Sequence, residues 1–106
     1  RFQAMARFNV TYPTTLVLRA IAGGARYGFE IADVTGLQTG TVYPSLRRLE
    51  RLGFLRSRWE SEKIARSEQR PARRYYEITA AGVTALDEAQ ARFAGAARLL
   101  DTPRNA

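Results

Sequence analysis

The 106-residue chain contains no cysteine and no histidine. Without cysteine there can be no disulfide framework, zinc ribbon, thiol nucleophile or thiol-based redox sensor. Without histidine the commonest metal ligand and acid–base catalyst is missing, and no unperturbed side chain changes charge between about pH 5 and 8. No stretch approaches the roughly 18 uninterrupted apolar residues that span a bilayer. The best candidate, Leu16 to Ala22, is short and carries Arg19. The start lacks the basic, apolar and small-residue succession of a secretory signal. Asp and Glu are scattered, with no constellation that would activate a nucleophile or hold a metal. The expectation is therefore a soluble, cytoplasmic protein that is not an enzyme, needs no cofactor and has no membrane partner.

Lysine is nearly absent as well. Of 17 basic side chains 16 are arginine, set against ten acidic ones for a net charge of +7. The planar fork of arginine suits phosphate and guanine edges, so an anionic partner is expected. The excess is unevenly placed, at +5 over residues 39–78 and zero over residues 79–106. With 45% apolar and 25% charged residues the composition is that of one ordinary globular domain.

There is no internal repeat, so Gly, Pro and capping residues place the elements. Pro13 suits a helix's first turn, Leu16, Val17, Ala20 and Ile21 recur at helical spacing, and Gly23-Gly24 end the run. A second short helix puts Tyr27, Ile31 and Val34 on one face and Glu30 and Asp33 on the other, with Gly36 as a left-handed cap. The third runs from a cap at Thr39 to Gly53. Val42, Leu46, Leu49 and Leu52 form its apolar stripe, and Thr41, Tyr43, Arg47, Arg48 and Arg51 face away. Pro44 is a local conflict: either the first turn bends there or regular helix begins near it.

Two short helices joined by a tight Gly-containing turn have the layout of a helix-turn-helix. After Gly53 the period changes to two, with Leu55, Ser57 and Trp59 alternating with Phe54, Arg56 and Arg58 in one strand and a second strand at Arg73 to Ile78. The polar segment Glu60 to Ala72, broken by Pro71, reads as a mobile loop between them. A last helix, capped by Thr79, reaches about Leu100 with Val83, Leu86, Phe93, Ala97 and Leu100 on one face. The expected fold is mainly α with a two-stranded β-hairpin. A winged helix-turn-helix over 13–78 follows an N-terminal arm or short helix over 1–12, whose apolar face is Phe2, Met5 and Ala6. A C-terminal dimerisation helix over 79–101 and a tail over 102–106 complete the chain.

The run Thr39 to Gly53, TGTVYPSLRRLERLG, resembles the recognition helix of the PadR family of bacterial transcriptional regulators. Tyr27-Gly28-Phe29-Glu30-Ile31 is similar to the opening of that family's second helix, and Arg73 to Thr79, RRYYEIT, to its second wing strand. Phe29 stands where the family usually has Tyr, and Val34 to Thr39 is shorter than the usual connection, which bears on the angle of the recognition helix. With one long C-terminal helix the chain looks like the short subgroup. The resemblance implies a homodimeric repressor, often released by a small ligand, acting on an inverted-repeat operator in double-stranded DNA and residing on the nucleoid when bound.

Each candidate residue has a plainer reading beside the functional one. Thr39, Thr41, Tyr43, Arg47 and Arg48 are expected to meet DNA, since the second helix of this motif enters the major groove. The alternative is a solvated face laced with ion pairs, to which Glu50 would contribute. Arg73 and Arg74 are expected to touch phosphate, or else protect an exposed strand edge. Lys63, Arg66 and Arg70 are weaker phosphate candidates because Glu60, Glu62 and Glu68 dilute them. Trp59 is either the wall of a small-molecule pocket or a half-buried residue closing the hairpin onto the core. Val83, Leu86, Phe93, Ala97 and Leu100 form either a dimer seam or packing within one subunit. An effector, whose identity the residues do not give, would sit among apolar groups such as Phe2, Tyr12 or Phe93. Two other functions remain open at this point: a non-specific architectural DNA-binding protein, and a winged-helix protein-interaction module.

Overall fold

In the computed structural model residues 10–101 are described. The expected leading helix of Phe2, Met5 and Ala6 and the tail 102–106 lie outside them. Helix α1 spans Tyr12–Ala22. Its N-cap is Thr11, whose hydroxyl accepts from the Thr14 amide, and Pro13 occupies the first turn, where its missing N–H costs nothing. Val17 and Leu18 are fully buried, so α1 is the central element of the core, while Leu16 is only partly covered.

Helices α2 (Gly28–Thr35) and α3 (Thr39–Arg51) are joined by three residues. Gly36 ends α2 with φ +76°, a left-handed conformation that only glycine adopts at no steric cost. Ile31 is fully buried, but Val34 is 65% exposed; the last inward apolar contact of this motif comes from Leu37 in the turn. Helix α3 is capped at Gln38 by backbone position alone, and Thr39 is its first helical residue rather than its cap. Regular helix passes through Pro44. The bond that Pro44 cannot make would go to the carbonyl of Gly40, which sits in solvent, so the loss is tolerated. Val42, Leu46 and Leu49 are fully buried against α1.

Strands β1 (Leu55–Trp59) and β2 (Arg74–Ile78) form an antiparallel hairpin in which Leu55 pairs with Ile78 and Trp59 with Arg74. On the inward face Leu55 and Tyr76 are buried. The Tyr76 amide also donates to the Arg26 carbonyl at 2.8 Å, which ties the hairpin to the segment entering α2. The segment expected as a mobile loop contains a further helix, α4 (Glu62–Ser67), capped by Ser61 and anchored by buried Ala65. Helix α5 (Ala80–Asp101) starts at Thr79, which accepts from the Gly82 amide and donates to the Gly53 carbonyl.

Helix α5 divides in two. Its first half packs on the core through Gly82, Ala85, Leu86 and Ala89. Its second half runs outward, with Leu99 75% and Leu100 84% exposed. The described residues consequently have a radius of gyration of 16.6 Å, against about 12 Å for a compact domain of this length.

Candidate nucleic-acid interface

Helix α3 buries one stripe and presents Thr39, Gly40, Tyr43, Arg47, Arg48 and Arg51 to solvent, with Thr41 half-buried. Among the described residues, Arg47, Arg48 and Arg51 have no carboxylate within ion-pair distance; the ion pairs involve Arg56, Arg66, Arg70 and Arg74. Glu50, the acid positioned to neutralise this helix, is turned toward the wing. It accepts from Ser57 Oγ at 2.6 Å and from Arg74 at 3.3 Å, while Arg74 Nε donates to Ser57 Oγ at 2.9 Å. A closed polar triangle thus locks the inner face of the hairpin to α3 and leaves the helix's own arginines unpaired.

Tyr43 has a packing duty. Its ring fills the space that a side chain on Gly28 would take, so a larger residue at 28 would displace the ring. The ring also meets Phe29 edge-to-face at 6.4 Å. With 37% of its surface exposed, Tyr43 still reaches solvent beside Arg47.

The wing tip is held by a buried carboxylate. Glu60, whose side chain is 4% exposed, takes both nitrogens of the Arg70 guanidinium at 2.6 and 3.0 Å, the Arg73 amide at 3.2 Å and the Tyr75 hydroxyl at 3.1 Å. The Arg70 hydrogen bonds are the main reason that its pKa falls from 4.5 to about 2; burial opposes them, and the Arg73 amide and Tyr75 hydroxyl add to them. Arg70 is held correspondingly above its ordinary value. After α4 the chain turns through Gln69, at φ +58°, which brings Arg70 back onto Glu60. Glu60 is therefore the anchor of the wing, and in that anchor it neutralises Arg70.

The remaining wing arginines differ. Arg73 precedes β2 and lies over the Tyr27 ring at 4.0 Å, with no ion pair among the described residues. Arg74 belongs to the Glu50 triangle and also lies over Trp59 at 5.4 Å. Trp59 is 63% exposed: it is on the inward face of β1, but beyond the edge of the core, so it does not close the hairpin as expected. Tyr76 closes the hairpin onto the core, while Tyr75, on the opposite face, packs edge-to-face with Tyr27 and is flanked by Arg26 and Arg58.

Comparison with known proteins follows the same lines. The model of the transcriptional regulator PadR-like family matches residues 17–88. The chain belongs to this family. A PadR family transcription regulator from Clostridium difficile superposes with a TM-score of 0.72 at 23% identity, covering 86% of this chain and 96% of that one. A PadR family regulator from Eggerthella lenta is 29% identical with a TM-score of 0.60 and 84% coverage of both chains. MepR of Staphylococcus aureus, a regulator of a multidrug efflux pump, shares the fold at 21% identity and a TM-score of 0.63, over 92% of this chain and 68% of that one. No curated protein matches significantly. The winged-helix fold of PadR regulators, with its hairpin and long C-terminal helix, is thus the fold of this chain.

In this PadR-like chain no described helix is long and apolar enough to cross a membrane, and no three His, Cys, Asp or Glu groups cluster as a metal site among the described residues. Thr39, Tyr43 and Arg47 share one flank of α3 and Thr41 and Arg48 the other, and Arg73 and Arg74 border the same cleft as Tyr43. The α5 residues do not act as one seam. Leu86 is 5% exposed within its own chain's core, because the first half of α5 completes that core; Val83 is 44% exposed and Phe93 half-covered by an edge-to-face contact with Tyr12. Ala97 and Leu100 are exposed. Two features escaped sequence reasoning: the Glu50–Ser57–Arg74 triangle and the Glu60–Arg70 brace. Their partners are far apart in sequence and follow no periodicity.

Proposed function

We propose that this chain is a sequence-specific, DNA-binding transcriptional regulator that works as a homodimer, represses from an inverted-repeat operator and answers to a small ligand. The observation that carries the reading is the absence of acidic partners on Arg47, Arg48 and Arg51 among the described residues, while Glu50 is occupied by the wing. A solvated, ion-paired face would have used Glu50. Thr39, Thr41, Tyr43, Arg47 and Arg48 meet base edges and phosphates in the major groove, and Arg73 and Arg74 meet the backbone beside it. The exposed second half of α5, from Phe93 through Ala97 to Leu99 and Leu100, supplies the apolar surface that a second copy covers. Val83 lies at its inner margin. A twofold dimer sets two recognition helices about 34 Å apart, one helical turn of DNA.

Selection of bound sequences from a random DNA pool tests the reading. An enriched motif with twofold symmetry is the expected result; a pool enriched in nothing contradicts it. Phe93→Arg with Leu100→Arg should give monomers by light scattering without unfolding, and an unchanged dimer refutes the interface.

A further inference from the structure

The face of the hairpin turned away from α3 carries cations of its own. Strand alternation puts Arg56, Arg58, Tyr75 and Glu77 on that face, with Arg58 directly opposite Tyr75. The bond from the Tyr76 amide to the Arg26 carbonyl sets residue 26 along the other side of β2. Arg58, Tyr75 and Arg26 therefore form a row across the sheet, and both guanidiniums lie over the Tyr75 ring, at 5.3 and 4.9 Å from its centroid. The ring is itself held twice. Its hydroxyl donates to Glu60 at 3.1 Å, and it meets Tyr27 edge-to-face at 6.0 Å. Stacking on a fixed ring limits the freedom of two long side chains and leaves their donor forks open. Arg56, one row along the same face, is paired with Glu77, whereas Arg26 and Arg58 are exposed and have no ion pair among the described residues. Glu30 is used by the backbone amide of Arg26, at 2.7 Å.

We propose that this outer face of the wing docks an acidic, extended peptide segment of a partner protein, its carboxylates on the Arg26 and Arg58 forks and its chain crossing the Tyr75 ring between them. Tyr and Arg carry much of the binding energy at protein interfaces, and here they are arranged before the partner arrives, which lowers the cost of ordering them. Each guanidinium fork matches a carboxylate bidentately. DNA fits this face less well. The recognition helix and the inner side of the wing engage the duplex on the other side of the sheet, and a duplex with a persistence length of about 50 nm does not turn around a hairpin of two strands. A peptide, flexible over a few residues, reaches the face without bending a duplex. The surface thus stays open while the chain is on DNA. That placement of the duplex rests on the function proposed above; the peptide contact itself does not.

Hexaglutamate is the probe, with hexaglutamine as its uncharged counterpart. Each is titrated into the isotope-labelled full chain and followed by heteronuclear NMR on the Tyr75 amide resonance, first on the chain alone and then on its complex with the selected duplex. The salt is kept near 0.15 M, where exposed charges more than about 8 Å apart are largely screened. Saturable binding of hexaglutamate is expected in both states, and no binding of hexaglutamine. Arg26→Ala with Arg58→Ala should weaken hexaglutamate about tenfold, the scale of two exposed ion pairs, and leave affinity for the duplex nearly as it was. Arg47→Ala with Arg48→Ala should leave the peptide titration unchanged, because the Tyr75 resonance reads the outer face alone. A Tyr75 resonance that never moves, equal binding of hexaglutamine, or parental affinity in the Arg26→Ala, Arg58→Ala chain overturns the site. Loss of the peptide from the DNA-bound chain, or a duplex salt slope that falls by about 0.9 for each arginine replaced, assigns the face to DNA phosphates and overturns the proposal. A chain that binds no DNA refutes the functional reading and leaves the titration of the chain alone intact.

Discussion

The recognition helix and the wing are built from the same residue, arginine, and use it in opposite ways. On α3 Arg47, Arg48 and Arg51 stand in solvent with no ion pair among the described residues. On the wing Arg56 pairs with Glu77, Arg66 with Glu62, Arg70 with Glu60 and Arg74 with Glu50. Four of the five carboxylates of residues 39–78 thus serve the wing; with Glu68 set against Lys63, the net +5 of that stretch corresponds to Arg47, Arg48 and Arg51 on the helix and Arg58 and Arg73 on the wing. A wing of two short strands has little apolar surface of its own, so charge-assisted hydrogen bonds hold its shape. The helix is held by Val42, Leu46 and Leu49 and can leave its cations free.

If that contrast is right, the largest effect falls on the helix. Arg47→Ala and Arg48→Ala should each cost roughly 1–3 kcal/mol of binding at particular base pairs and leave the melting temperature unchanged. Fluorescence anisotropy with matched and mismatched DNA measures the first, and calorimetry the second. Arg73→Ala comes next, weakening specific and non-specific DNA alike and reducing the salt slope by about one unit, as loss of a phosphate contact requires.

Glu60→Gln should sharpen the contrast through stability. The folded pKa of about 2 lies below the ordinary 4.5, so the folded wing resists protonation more than the unfolded chain does. Its contribution is complete above about pH 4.5 and is lost as the pH falls toward 2. Glu60→Gln should therefore melt at a lower temperature at pH 7 and lose part of the parent's decline between pH 5 and 3, as followed by circular dichroism. A variant with the parent's pH profile would show that the brace is ornamental. The smallest effect belongs to Arg56→Ala, whose pair with Glu77 is mostly in water. Such pairs contribute about 0–1 kcal/mol, and thermal melting should barely register the change.

The fold was legible because its signals are local. Pro13, the left-handed Gly36 and the stripe Val42, Leu46, Leu49 each act within a few residues, and the period change after Gly53 marks the hairpin. What was not legible depends on contacts between distant residues. Residues 60–72 read as a mobile polar loop because Glu60 and Arg70 are ten residues apart and neither belongs to a pattern; in the folded chain they meet, and Ser61 starts a helix between them. The same limit applies to Trp59, whose alternation placed it on the inward face without revealing that the core stops short of it. Leu86 shares a seven-residue spacing with Phe93 and Leu100, yet only the last two lie beyond the point where α5 leaves its own core. A partner-facing surface therefore begins later on the helix than periodicity alone implies.

Arg47→Ala and Arg56→Ala remove one identical charge each, so they separate placement from count. Operator affinity measured for both across a salt series is the most direct test. The account predicts a sharp loss of specific binding for Arg47→Ala and only a minor change for Arg56→Ala, whose charge already answers Glu77 at the exposed surface of the wing. Equal losses in the two variants, on operator and unrelated DNA alike, would mean that net charge alone drives binding and would contradict a dedicated recognition helix.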